Sequence, residues 1–208
     1  DVLALVTPFE LIPSMDFFKS LEASEEAWAP SSAVRIVDLM IQITTDGWEP
    51  VLTALTIEGD RRAGRSADNA MQPASKAQYR YAGLGVFKND RLVGWLNEDE
   101  SKSYAYVLNR IRTTVGSVEC PNTSQGRLAL EIKDAKANIV PRLSGGEPAA
   151  TVRLRIEANI GEVQCEGIDL NKEATFRKTE RLSERLAENV IGDSIRQVQR
   201  RYASDIFG

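Results

Sequence analysis

Three consecutive carboxylates, Glu98, Asp99 and Glu100, are the residues of this chain whose type best suits acid/base chemistry. Consecutive side chains at the start of a helix point in different directions, so the three groups have no shared target. Asn97 precedes them, and the order Asn97 to Glu100 has the form of a capping box, in which Asn97 accepts from the third helical amide while Glu100 reaches back. The pattern therefore predicts helix capping, which the helix dipole favours further, and not catalysis.

Other kinds of chemical site have little support in the sequence. Histidine is absent, which removes the commonest acid/base group at neutral pH and the commonest transition-metal ligand. Asp193 and Asp205 lack the partner set of a calcium loop, and no cysteine pair has zinc spacing. Gly83 and Gly85 form only part of a dinucleotide fingerprint and lie inside a predicted strand, where a bulge or close packing explains them. We expect no enzyme activity, no metal site and no cofactor.

The charge pattern argues against a nucleic-acid partner. The formal net charge is −4, and the basic residues are interleaved with acids along the chain. The one local basic excess, residues 61–65, is too short to track a phosphate backbone. No stretch approaches the roughly 20 consecutive apolar residues of a membrane span, so we expect the chain itself to be water-soluble.

The two cysteines, Cys120 and Cys165, leave two interpretations open. Each ends a strand in a predicted up-down-up meander, so both lie at the same end of the sheet and a disulfide is geometrically feasible. Two unpaired, partly buried thiols explain the same positions without a further assumption. Composition does not choose between the two interpretations.

Two tryptophans have contrasting expected roles. Trp28 stands beside Pro30 in a predicted loop and is a candidate interaction surface, because exposed tryptophans often anchor interfaces. Trp95 lies between a strand and a helix start, where we expect it in the core. Replacing a buried tryptophan by alanine costs about 3 to 5 kcal/mol of folding stability.

The first half of the chain predicts short helices followed by strands. Proline spacing and apolar periodicity indicate helices over residues 14–21 and 31–44, the second capped by Ser32, although its β-branched content leaves a strand as an alternative. Residues 51–58 predict a strand, and residues 59–75, rich in polar residues and glycine, predict an exposed and mobile loop. Residues 79–87 and 91–96 predict a β-hairpin through Asn89 and Asp90.

The second half predicts a sheet covered by a long helix. A helix over residues 98–109 precedes three strands, two of which alternate cleanly between apolar and polar residues. Residues 144–146 form a turn, and residues 171–204 predict a long amphipathic helix that covers the apolar face of the sheet. The expected fold is α+β in two small domains: residues 1–97, with helices, strands and the hairpin, and residues 98–208, an antiparallel meander packed against the long helix.

The hairpin sequence closely resembles the signature of a known family. Residues 83–96, GLGVFKNDRLVGWL, followed by the capping box that begins at Asn97, are similar to the signature of the GerAC family, the C subunits of spore germinant receptors in endospore-forming bacteria. Residues 7–8 with 12–14, residues 159–162 and residues 199–207 agree with the family as well. The chain resembles the two C-terminal domains of such a subunit.

The resemblance implies a function and a location. Family members have a signal peptide, a lipidated cysteine and an N-terminal domain upstream of these two domains, and lie on the outer face of the spore's inner membrane. Their partners are a multi-pass A subunit and a transporter-like B subunit, and no catalytic residues are carried over. We therefore expect a non-enzymatic scaffolding subunit needed for nutrient-triggered germination. The alternative is a module that binds the nutrient in a pocket between the two domains.

Overall fold

The computed structural model describes residues 5–6, 13–27, 31–71, 74–123 and 125–208. The helices and strands in this part of the chain are, in order, α1 (Pro13–Ala27), α2 (Ile36–Thr44), β1 (Val51–Gly59), α3 (Asp68–Met71), β2 (Ala77–Lys88), β3 (Arg91–Leu96), α4 (Glu98–Val107), β4 (Thr114–Glu119), β5 (Arg127–Ser144), β6 (Glu147–Val163) and α5 (Glu173–Tyr202). The strands form two antiparallel sheets, ordered β1-β2-β3 and β4-β5-β6. This arrangement confirms the α+β class and the C-terminal meander.

The predicted β2–β3 hairpin is confirmed, and its turn shows why Asn89 suits it. Asn89 has a φ of 55°, in the left-handed region that asparagine tolerates better than most side chains. The register pairs Leu84 with Leu96 and Val86 with Gly94. Leu84, Val86 and Leu96 are buried, so one face of the hairpin lies against the core.

The two N-terminal helices differ from the prediction in their bounds. The helix α1 extends to Ala27, well past the expected residue 21. The helix α2 confirms the helical interpretation of its segment, but it begins at Ile36, with Arg35 and not Ser32 at the N-cap. Ser32 is held elsewhere, because its backbone N–H donates to Thr53 Oγ1 of β1 over 2.7 Å.

The orientation of α2 is the reverse of an ordinary amphipathic helix. Gln42 is buried, whereas Ile36, Val37 and Met40 are exposed, Ile36 by 79% of its surface. Surface helices usually place their apolar stripe against the core. The apolar spacing therefore predicted the helix without indicating the side that faces solvent.

Residues 59–75 are largely exposed where the structure describes them, as expected, but they form short helical elements and not an irregular loop. A 3₁₀ turn at Ala63–Arg65 and the short helix α3 organise the segment. Asn69 is 1% exposed, donates to Val6 O and Ala77 O, and accepts from the Ala77 N–H. One buried amide thus satisfies backbone groups from two separate segments and fixes the connection.

One apolar cluster joins the first sheet to α4, α5 and the C-terminal tail. Its buried members come from the first sheet and from the helices and tail that follow it: Val51, Leu84, Val86, Leu96, Tyr104, Val198 and Ile206. Leu182, nearer the start of α5, packs on a different cluster that includes Val118 and Leu128 of the second sheet. The long helix therefore covers the sheet before it, as predicted, and also reaches the first sheet. The division at residue 97 stays a prediction.

The second sheet narrows to a two-stranded ribbon. The six residues of β4 pair with β5 between Arg127, opposite Glu119, and Ile132, opposite Thr114. Beyond Ile132, β5 and β6 continue together to the predicted turn, where Gly145 and Gly146 have positive φ. We call residues 134–157 the ribbon.

Cys120 and Cys165 are joined by a disulfide in the structure, with their Cα atoms 5.6 Å apart. Cys120 follows β4 directly, and Cys165 lies two residues beyond β6. Both pack with Val118 and Leu128 in the cluster below the first turns of α5. The sequence left a disulfide and two free thiols as alternatives, and the structure contains the disulfide.

Reducing this disulfide should lower the free energy of unfolding by about 4 kcal/mol, because the bond closes a loop between residues 45 apart and so restricts the unfolded chain. Urea titrations with and without reductant measure the difference. The double variant Cys120→Ser/Cys165→Ser is the control, and reductant should leave its unfolding unchanged. Two free thiols in the denatured, unreduced protein would contradict the bond.

Candidate interaction surface

The outer face of the hairpin presents a tryptophan above a glycine. Trp95 pairs with Gly85 across the two strands. A Cβ at Gly85 would lie 3.0 Å from both Trp95 Cζ3 and Leu92 Cδ1, so the missing side chain lets these two residues lie close against the sheet. Trp95 is 52% exposed and Leu92 is 45% exposed. We call these two side chains the Trp95 patch.

The expectation that Trp95 belongs to the core is wrong. Successive side chains of a strand point to opposite faces, and the buried Leu96 occupies the inner face of β3. Trp95 must therefore point outwards. β3 is an edge strand, and β2 is its one partner strand in the described part of the chain. Trp28, the tryptophan predicted as a surface anchor, lies outside the described residues.

The inner face of the hairpin receives the end of α5. Gly94 lies directly beneath the ring of Tyr202, and a Cβ at residue 94 would overlap that ring. The Tyr202 hydroxyl donates to Trp95 O over 2.7 Å. The same short strand therefore holds Tyr202 on one face and exposes Trp95 on the other.

The predicted capping box at the start of α4 is confirmed. The Glu100 N–H donates to Asn97 Oδ1 over 2.8 Å, and the Asn97 N–H donates to Glu100 Oε2 over 3.0 Å. Glu98 points away and pairs with Lys102 at 2.8 Å. The neighbouring carboxylates thus diverge, as the sequence predicted, and each of these two has a structural partner.

Glu100 also connects α4 to the end of α5. Its carboxylate is 2% exposed, and Oε1 lies 3.1 Å from Arg201 Nη2. The Arg201 guanidinium contacts the Tyr202 hydroxyl as well, at 3.2 Å. The Tyr202 hydroxyl and then the Glu100 carboxylate raise the pKa of Arg201. A buried carboxylate without this arginine would lack its counter-charge.

The C-terminal tail returns to the start of the first sheet. Ala203 ends α5 in the left-handed region, with a φ of 45°. Ser204 Oγ then donates to Phe87 O over 2.8 Å, and Asp205 O accepts from the Glu49 N–H over 2.7 Å. Ile206 is fully buried. The tail thereby fastens the last residues of the chain to the segment that enters β1.

Arg110 adds a polar contact between the two halves of the chain. Its guanidinium lies 5.4 Å from the centre of the Tyr104 ring and donates to Ser32 Oγ. Burial raises the pKa of the Tyr104 phenol, an effect that the Arg110 charge partly offsets. Arg110 therefore lies over a buried ring while holding the irregular segment that leads into α2.

A shallow depression of about 410 Å³ lies beside the ribbon, lined by Asn109, Ile111, Asp134, Ala135, Lys136 and Ala137. Asn109 closes one side of it, since its side-chain amide donates to Ala137 O and accepts from the Ala137 N–H. The depression has two opposite charges and no buried cluster of convergent polar groups, unlike a typical ligand site.

Within the described residues, no three or more Cys, Asp or Glu side chains lie together as metal ligands would. The helices of that same part of the chain are all too short or too polar to cross a bilayer.

Comparison with known proteins relates the chain to spore germination proteins. A family model described as Spore germination B3/GerAC like, C-terminal, matches residues 82–208. Spore germination protein KC of Bacillus subtilis (strain 168) is 26% identical over 165 residues, which cover 79% of this chain and 40% of that protein. Spore germination protein B3 of the same organism is 25% identical over 133 residues, which cover 62% of this chain and 34% of that protein. The chain spans less than half the length of either relative.

A solved structure shares the fold. The crystal structure of the GerBC protein aligns with 84% of this chain and 48% of its own, with a TM-score of 0.63 and 18% sequence identity. The residues matched by the family model begin in β2 and include β3, α4, the second sheet and α5. Both faces of the hairpin therefore lie within the matched region.

The Gly94 contact gives a direct test of how the hairpin and α5 meet. Gly94→Ala should lower the free energy of unfolding by about 1 to 3 kcal/mol, because the new methyl group displaces the Tyr202 ring. Urea unfolding measures the loss. Gly116→Ala is the matched control, since Gly116 also lies in a strand but a Cβ there meets no atom within 4 Å.

Adding Tyr202→Ala to Gly94→Ala should cost much less than Tyr202→Ala costs in the parent, since the ring contact is already disturbed. A Gly94→Ala variant as stable as the parent would contradict the packing described here.

Proposed function

Because the chain belongs to the Spore germination B3/GerAC-like family, we propose that it is part of a non-enzymatic scaffolding subunit of a nutrient germinant receptor. The observation that supports this proposal best is the Trp95 patch, an exposed aromatic within the region that the family model matches. Tryptophan is enriched among the residues that dominate binding at protein interfaces. An exposed tryptophan on a well-anchored strand fits a role in protein contact.

The backbone beneath the Trp95 patch is held in place from the other side of the sheet. This support favours a role of the patch in binding a partner over a role in folding. Gly85 lies under the ring, and Tyr202 braces the opposite face through its hydrogen bond to Trp95 O. A side chain held on a fixed backbone loses less conformational freedom when a partner binds. The proposed partners are the A and B membrane subunits of the receptor, and Trp28 remains a further proposed contact residue.

The proposed place of action is the outer face of the inner spore membrane, reached through a lipid anchor in the full-length subunit. The proposal includes no catalytic step, since Glu98 and Glu100 are engaged with Lys102 and Arg201. Nutrient binding by this chain is the competing proposal. Calorimetric melting scans with amino acids and sugars separate the two, because a ligand held by the folded state raises the melting temperature.

Complementation of spores tests the scaffolding role. Spores without the gene should lose their response to one set of nutrients and keep germination by a trigger that bypasses the receptors. The full-length parent gene should restore the response, and Trp95→Ala should restore it at least about tenfold more slowly, as loss of an interface anchor of roughly 1.4 kcal/mol or more would require. Germination rates measured with a range of nutrients check this.

The control variant is Val115→Ala, which removes another exposed apolar side chain in an edge strand, 62% exposed on β4. We expect it to germinate like the parent. Since Trp95 is half-exposed, Trp95→Ala should keep the parent's melting temperature to within about 4 °C, which corresponds to a loss near 1 kcal/mol of folding stability. A normal nutrient response in spores without the gene would refute the proposed function, and a normal rate with Trp95→Ala would refute the role of the patch.

A further inference from the structure

The turn between α2 and β1 contains the one aspartate of the chain that precedes a glycine, Asp46 before Gly47. An aspartate side chain places its carboxyl carbon near the backbone nitrogen of the next residue, so the two atoms can close a five-membered ring. Glycine favours this closure, because it has no Cβ to crowd the attacking nitrogen and its backbone rotates most freely. Aspartate and glycine are also common in turns for other reasons, so the local structure decides whether the pair is reactive.

The structure leaves the Asp46 carboxyl group free to rotate. Asp46 is exposed, and its side chain has no hydrogen bond and no ion pair within the described residues. Asp60 is a useful contrast, because its Oδ1 accepts from the Arg62 N–H over 2.9 Å and from the Ala63 N–H over 3.2 Å. Those two bonds hold the Asp60 carboxylate in one orientation, whereas nothing comparable prevents Asp46 from turning towards the Gly47 nitrogen.

The Gly47 nitrogen is available as well. The Trp48 N–H closes the turn by donating to Thr45 O over 3.2 Å, but no backbone carbonyl in the described part of the chain accepts from the Gly47 N–H. Gly47 has a φ of 78°, and a Cβ built on it would meet no atom within 4 Å. The amide that attacks is therefore neither held by a hydrogen bond nor covered where a side chain would lie.

We propose that Asp46 is a modification site, at which aspartate isomerises spontaneously through a cyclic imide with water as the only co-reactant. The bond between the Gly47 nitrogen and Asp46 Cγ forms and a Cγ–O bond breaks, and the amide proton leaves with that carboxyl oxygen and its proton as one water molecule. Hydrolysis returns one water molecule. Opening at Cγ restores aspartate, whereas opening at the Asp46 carbonyl carbon gives isoaspartate, whose main chain runs through Cγ. The reacting groups are neighbours on one chain, so ring closure needs no second molecule to be brought into place.

Isoaspartate lengthens the main chain beside a closely bonded junction. It adds one carbon atom to the backbone inside the turn that the Trp48 N–H and Thr45 O close. Directly after this turn, the Glu49 N–H donates to Asp205 O of the C-terminal tail over 2.7 Å, and Glu49 Oε2 accepts from the Asn89 N–H over 2.6 Å. The modification therefore disturbs the contacts that hold the tail and the hairpin turn to the segment that enters β1.

Incubation of the folded 208-residue chain in water enriched in heavy oxygen tests the proposal. Each passage through the imide places one heavy oxygen at residue 46, and mass spectrometry of the tryptic peptide 36–61 detects it after chromatography has separated the aspartyl and isoaspartyl forms. Isoaspartate should accumulate at residue 46, whereas Asp60 in the same peptide should stay unmodified. A synthetic peptide of residues 41–52 is the unfolded reference. The folded chain should react within about tenfold of the peptide's rate, because an exposed turn opens at almost no cost in free energy.

Asp46→Glu is the matched control, since it keeps the charge and leaves Gly47 in place. A glutamate has to close a six-membered ring, which forms much more slowly, so this variant should stay unmodified at residue 46 and melt like the parent. The isoaspartyl form, separated from the parent, should melt at least about 2 °C lower in circular dichroism, because the junction at Glu49 is disturbed.

A folded chain without isoaspartate at residue 46, under conditions in which the reference peptide reacts, would overturn the proposal. Equal modification of Asp46 and Asp60 would overturn it too, because the free carboxyl group and the free amide would then not decide the site. An isoaspartyl form that melts like the parent would overturn the expected effect on the junction.

Discussion

The absence of a side chain at Gly94 is the constraint on which the meeting of the two sheets depends. The Tyr202 ring occupies the space that a Cβ at residue 94 would fill, and its hydroxyl donates to Trp95 O. This contact fixes the end of a helix that begins against the second sheet, and the C-terminal tail continues from it to the start of β1. The apolar cluster that joins the first sheet to α4 and α5, with Tyr104 and Val198 among its members, lies at the same junction.

Glu100 strengthens the same junction through a different interaction. It closes the capping box of α4 and faces Arg201, the residue next to Tyr202. One buried carboxylate thus links the helix that follows the hairpin to the helix that lies on it. Arg201 is half-exposed, so part of the ion pair's attraction is screened by solvent, and the packing of Tyr202 contributes the more specific constraint.

Local patterns in the sequence predicted the elements better than their orientations. The capping box and the Asn89 turn depend on a few neighbouring residues, so their chemistry was sufficient to predict them. The outward direction of Trp95 follows from strand alternation, and the glycines at 85 and 94 were its signal, since each marks a place where an aromatic ring crosses the sheet.

Other features required knowledge of distant contacts. Asn69 is buried because it bonds to Val6 and Ala77, and no local pattern around it indicates those partners. The exposed apolar side of α2 is likewise set by what lies around the helix and not by its spacing. The alternation in β5 and β6 was visible in the sequence. The sequence did not show how far these two strands extend beyond the end of their pairing with β4.

The proposed function places the two faces of the hairpin in different roles, with Tyr202 packed on the inner face for stability and Trp95 on the outer face for contact with a receptor partner. Photo-crosslinking in intact spores tests this division most directly, with a photoreactive amino acid at residue 95 or, as control, at residue 115. The account predicts an adduct with another receptor subunit from residue 95 and none from residue 115. No adduct from residue 95, or equal adducts from both positions, would contradict it.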